Sequence, residues 1–258
     1  MQKGGTTALD RFLRKHPSLQ LPHETKEIHF FDDETPDWSK PDYERLHAHF
    51  DWDRAGTFLC GEGTPITIFW PQALERLRAY NPHARLILAL RHPTFRAFSH
   101  WRMGMVRNAE TLSFEDAISA TGRARLDAPK NSDAWRVYSY VERGFYAGQI
   151  EHLFTLFPRE QIFIFRTDDL WTRAQETLDA LQDFLGVERL LSPDRSYITH
   201  LSTARLGDIP EVPRRALDDM FRADIRATAA LTGLNLSDWL SPAYAEPMIE
   251  PPAAGTKG

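Results

Sequence analysis

Residues 85–103 read RLILALRHPTFRAFSHWRM. RLILAL (85–90) is apolar without alternation once past its arginine, which predicts a strand buried on both faces of a parallel sheet. Pro93 suits the first turn of a helix, and that helix is expected to run through Trp101. A strand feeding directly into a helix is the unit of an α/β fold, whose ligand crevice lies at the carboxyl ends of the strands. Arg91 stands at that end. An arginine closing a buried strand needs a partner, and a phosphate suits its forked donors. Arg96, Arg102 and Arg107 crowd the same stretch, although each also fits a solvated helix face.

The rest of the chain repeats the alternation. TTALDRFLRKHP and PQALERLRAY have helical spacing, while EIHFF (27–31), TFLC (57–60) and QIFIF (161–165) read as strands. YVERGFYAGQIEHLFTLF, TDDLWTRAQETLDALQDFLG and PRRALDDMFRADIRATAALTG read as further helices, the second with an Asp-rich start and a closing glycine. Residues 187–212 read as a long loop, and 242–258, rich in Pro, Ala and Gly, as a disordered tail. No internal repeat or domain boundary stands out, so residues 1–241 are read as one domain.

Bulk properties narrow the function. A net charge of −5 over 258 residues argues against a general nucleic-acid or membrane-surface binder, so any anion site is a local basic pocket. The single cysteine, Cys60, allows no internal disulfide and points to a reducing compartment, the cytoplasm. No run approaches the ~18 apolar residues of a membrane span.

The opening stretch, MQKGGTTALD, places Lys3, Gly4, Gly5, Thr6 and Thr7 before a helix. Two glycines let the backbone approach an anion, the threonines add hydroxyl donors, and the lysine adds a charge. The loop does not match Walker A, whose lysine follows the glycines. By itself it fits a threonine-capped turn equally well.

Taken together, QKGGTTAL and RHPTFRAFSHWRM resemble the 5′-phosphosulfate and 3′-phosphate motifs of sulfotransferases that use 3′-phosphoadenosine 5′-phosphosulfate (PAPS). KEIHFFDDE is similar to the catalytic strand of the heparan-sulfate-type and bacterial carbohydrate branch. CGEGTPIT, RGFYAGQIEHLFTLFPREQIFIF and FRADIRATAALTGLNLSDWL continue the likeness in order, to about residue 240. The resemblance implies a P-loop-like three-layer α/β fold with a central, mainly parallel sheet flanked by helices. It also implies metal-free sulfuryl transfer from PAPS to a hydroxyl or amine, with a carbohydrate or small-molecule acceptor. Gly4, Gly5, Thr6 and Thr7 would then hold the 5′-phosphate, and Arg91 and Ser99 the 3′-phosphate. Lys3 would serve the leaving phosphate, Glu27 would be the base, and His29 a supporting group or alternate base. Arg205, in STARLGD, fits the family's nucleotide-closing loop loosely. Without the resemblance, Glu27 reads as an exposed strand carboxylate and His29 as a core imidazole. Trp52, Trp70, Trp101 and Trp135 fit either a sugar site or the core.

Three departures stand against the resemblance. The strand that precedes the phosphate loop is expected upstream of Met1. Gly63 stands where the family often has a lysine, with Ile66–Thr67 where a tyrosine often follows, and His92 precedes Pro93 in place of Asp or Asn. The rival readings are a P-loop nucleotide kinase and a non-catalytic nucleotide- or glycan-binding relative.

Overall fold

A computed structural model describes residues 1–54, 56, 58–194 and 208–247. Six helices in this part reach eight residues: α1 (Thr6–Leu13), α2 (Ala73–Tyr80), α3 (Pro93–Val106), α4 (Tyr146–Leu156), α5 (Ala174–Leu185) and α6 (Glu211–Thr232). The strands are β1 (Leu19–Gln20), β2 (Leu59–Cys60), β3 (Leu86–Leu90) and β4 (Ile162–Arg166). β3 pairs in parallel with β4, from Leu86 opposite Ile162 to Leu90 opposite Arg166, and β1 pairs in parallel with β2.

Side chains of a strand alternate between faces, and β3 uses both. Leu88 and Leu90 join a core with Phe98 and Trp101 of α3, Ile150 and Leu153 of α4, and Leu217, Phe221 and Ile225 of α6. Ala89 instead joins Leu9 and Phe12 of α1 and Leu178, Leu181 and Leu185 of α5, with Phe165 of β4 beside it. The arrangement is a three-layer α/β fold. Each large apolar side chain buried this way contributes roughly 1.5–3 kcal/mol. A third cluster joins Phe30, Phe31, Leu46, Ile66, Trp70 and Ala73 and anchors the stretch that carries Glu27 and His29.

Among the described residues the strands form two parallel pairs, in keeping with the mainly parallel sheet expected. The other edge of β3 faces the opening loop, because the Ala89 carbonyl lies 2.6 Å from where a Cβ on Gly4 would sit. Several expectations are corrected. Residues 27–31 form no strand. His29 has φ 55°, and its N–H donates to the Thr64 hydroxyl (3.0 Å) rather than to a neighbouring strand. The helix expected from Thr167 breaks at Arg173 (φ −137°) and restarts as α5, ending on left-handed Gly186 as the sequence predicts. Residues 242–247 are no loose tail, since Tyr244 is buried against His92 and Phe95. Trp70 and Trp101 belong to the core, leaving Trp52 exposed and Trp135 half-buried against Phe69.

Candidate active site

The glycine loop sits at the carboxyl ends of β3 and β4, where the strand pattern places a ligand crevice. Thr167, just past β4, donates from its N–H to the Leu90 carbonyl (2.7 Å) and from its hydroxyl to the Gly4 carbonyl (2.9 Å). Gly4 is glycine for lack of room, the Ala89 carbonyl being too close for any side chain. Gly5 is glycine for its backbone, whose φ of 79° turns the chain into α1. Thr6 is half-buried and Thr7 exposed at that start.

Lys3 lies within the loop, φ 66°, with its ammonium 3.8 Å from the Met103 sulfur. Burial, then the charges of Arg91, Arg107 and Arg96, pull it down to about 8. The Lys3 carbonyl accepts from Arg91 Nη1 (3.1 Å), joining the glycine loop to the end of β3. Arg91 also pairs with Glu246. Ser99 is half-buried within α3, the helix that Arg91 leads into. Arg205 lies outside the described residues.

Glu27 and His29 come together without a strand. His29 Nε2 is 3.5 Å from Glu27 Oε2, and His29 Nδ1 is 2.9 Å from Asp32 Oδ2. Asp32 is fully buried and also accepts from Arg136, on its carboxylate and on its carbonyl (2.8 Å). Lys26 Nζ donates to Glu27 Oε1 (2.6 Å) and to the Thr6 hydroxyl (3.2 Å), tying this group to the glycine loop. Gly63, where a lysine was expected by family pattern, lies against Lys26: a Cβ there would be 3.5 Å from the Lys26 carbonyl.

Electrostatics divide the roles. The hydrogen bond to Asp32, then that to Glu27, raises His29 to about 9, so it is protonated at neutral pH. Burial pushes the Glu27 carboxyl up, but hydrogen bonds from His29 and Lys26 outweigh it and pull it down to about 2. Burial likewise pushes Asp32 up, and His29 and Arg136 overcome it. Protonated His29 has no lone pair to offer, while Glu27 is ionised and its basicity is weakened by the two cations on it.

Lys26, Asp32 and Arg136 were missed in the sequence. Lys26 and Asp32 had a local signal, flanking Glu27 and following His29 by three. Arg136, 104 residues from Asp32, had none. Arg96, which fitted a solvated helix face in the sequence, is instead fully buried, and its Nε and Nη1 find no partner among the described residues. Such orphaned donors fit an anionic ligand. A cavity of about 240 Å³ lined by Phe12, Leu170 and Trp171 contains none of these residues.

Residues 1–206 match the family model of the sulfotransferase domain. This chain belongs to the sulfotransferase family. It is 28% identical over 200 residues to human heparan sulfate glucosamine 3-O-sulfotransferase 6, covering 76% of this chain and 53% of that one. With mouse heparan sulfate glucosamine 3-O-sulfotransferase 3B1 the identity is 30% over 203 residues, 76% of this chain and 47% of that one. The chain therefore spans about half the length of these relatives. A solved sulfotransferase from Alicyclobacillus acidocaldarius superposes with a TM-score of 0.75 at 26% identity, covering 92% of this chain and 94% of that one. The P-loop-like α/β fold expected from the sequence is that of this sulfotransferase, and the kinase alternative is not favoured.

Proposed function

We propose that this chain transfers a sulfuryl group from PAPS to a hydroxyl or amine of a carbohydrate acceptor. The carrying observation is the bridge made by Lys26, which touches both Thr6 of the anion loop and the carboxylate of Glu27. It brings the glycine loop and Glu27 within one side chain's reach of each other, which supports a transfer between groups held at the two. Bound PAPS would supply the activated sulfuryl group, with Gly4–Thr7 holding its 5′ end and Arg91 and Ser99 its 3′-phosphate.

Glu27 takes the acceptor's proton as the acceptor oxygen bonds to sulfur and the bond from sulfur to the phosphate oxygen breaks. That electron pair leaves with the phosphate, and Lys3 balances the charge there. Protonated His29, held by Asp32 and Arg136, orients the Glu27 carboxylate. The heparan sulfate relatives support a carbohydrate acceptor, and the lone cysteine supports a reducing compartment such as the cytoplasm.

The test is an acceptor screen with labelled PAPS, followed by Glu27→Gln with the best acceptor. Turnover should fall ~10²-fold or more while 3′,5′-ADP affinity holds, since the change removes basicity and keeps shape. Turnover should also survive EDTA. A Glu27→Gln protein within a few-fold of the parent would overturn the assignment of the base.

A further inference from the structure

Arg91 already holds an anion. Its Nε and Nη2 donate to the two carboxylate oxygens of Glu246, each at 2.5 Å, in a fork-to-fork pair. Nη1 donates to the Lys3 carbonyl. Glu246 thus takes the forked Nε–Nη2 edge, the one that would hold a phosphate bidentately.

The carboxylate is presented by an anchored segment. Two residues before it, Tyr244 is buried with its ring stacked on His92 (centroids 4.6 Å apart, planes at 17°), and its hydroxyl donates to Asp168 (2.8 Å). Arg214 of α6 donates to the carbonyls of Pro242 (3.2 Å) and Tyr244. These contacts fix the segment without Glu246, so the ion pair can open while the anchor stays. The pair is also only about three-quarters buried, at 22% and 24% side-chain exposure, leaving a solvent route to the arginine.

We propose that Glu246 is a built-in competitor for the nucleotide's 3′-phosphate: its carboxylate must leave Arg91 before that phosphate can bind. The C-terminal segment then sets the affinity for the donor and for the 3′,5′-ADP product alike. The inference rests on the reading of Arg91 as the 3′-phosphate ligand. The physical basis is mass action within one molecule. A binding-competent state that is only fractionally populated raises the apparent Kd by the inverse of that fraction.

Calorimetry with 3′,5′-ADP and 5′-AMP, on the full chain and on Glu246→Gln and Glu246→Ala, tests it. The variants should bind 3′,5′-ADP roughly tenfold more tightly, the scale of one charge-assisted contact. Their affinity for 5′-AMP, which has no 3′-phosphate, should stay within twofold. If the parent prefers 3′,5′-ADP but the variants bind it no better, Glu246 is a structural ion pair and the inference falls alone. Equal tightening for both nucleotides overturns it too, because the effect would not run through the 3′-phosphate. A parent with no preference between them defeats the nucleotide reading and the inference together.

Discussion

Replacing His29 with asparagine should destabilise the protein at neutral pH and do so less and less as the pH rises. Asparagine tolerates the left-handed backbone that His29 adopts at φ 55°, so the change isolates the imidazole. The charged ring sits 2.9 Å from Asp32, a fully buried carboxylate whose other cation is Arg136. A rise in the histidine from 6.5 to about 9 corresponds to at most about 3.4 kcal/mol at about 1.36 kcal/mol per pKa unit. The side chain is 47% exposed, and solvent screening reduces this to about 1–2 kcal/mol. Because the folded value lies above the unfolded one, the contribution is complete below pH 6.5 and is lost as the pH climbs through about 9. Urea unfolding of parent and variant at steps from pH 6 to 9.5 reads the difference directly. A gap that stays constant across that range would refute the charged His29–Asp32 pair, and with it the argument that His29 is too protonated to act as the base.

Gly4→Ala should cost about 1–3 kcal/mol in the same unfolding assay, because its methyl would land 2.6 Å from the Ala89 carbonyl and 3.0 Å from that of Met1. Lys26→Met should lower turnover by roughly tenfold or more through a misplaced carboxylate, with 3′,5′-ADP affinity changed far less. It should also move the acid limb of the pH–rate profile upward, since Lys26 helps hold Glu27 near 2. Binding of 3′,5′-ADP should weaken as the pH rises through about 8, where the free protein's Lys3 loses its charge; titrations of Lys3→Met should lack that limb.

Local sequence determined the elements whose burial pattern is carried by consecutive residues. The apolar run of β3, the proline opening α3 and the glycine ending α5 could be read directly, because each depends on steric or solvation preferences within a few residues. The need for glycine in the opening loop could be read too, since Gly4 has no room for a side chain and Gly5 takes a left-handed backbone. Glu27 and His29 were singled out by the family resemblance, and the strand expected to carry them does not form. The alternation of EIHFF suggested a strand, yet a strand needs a partner edge, and here the Thr64 hydroxyl takes the His29 N–H instead. Only the tertiary fold decided what surrounds them. Arg136 reaches Asp32 across 104 residues, and Glu246 reaches Arg91 across 155. Charge pairing across such separations leaves no periodicity in the chain, because it depends on where packed layers place the two backbones rather than on either residue's neighbours.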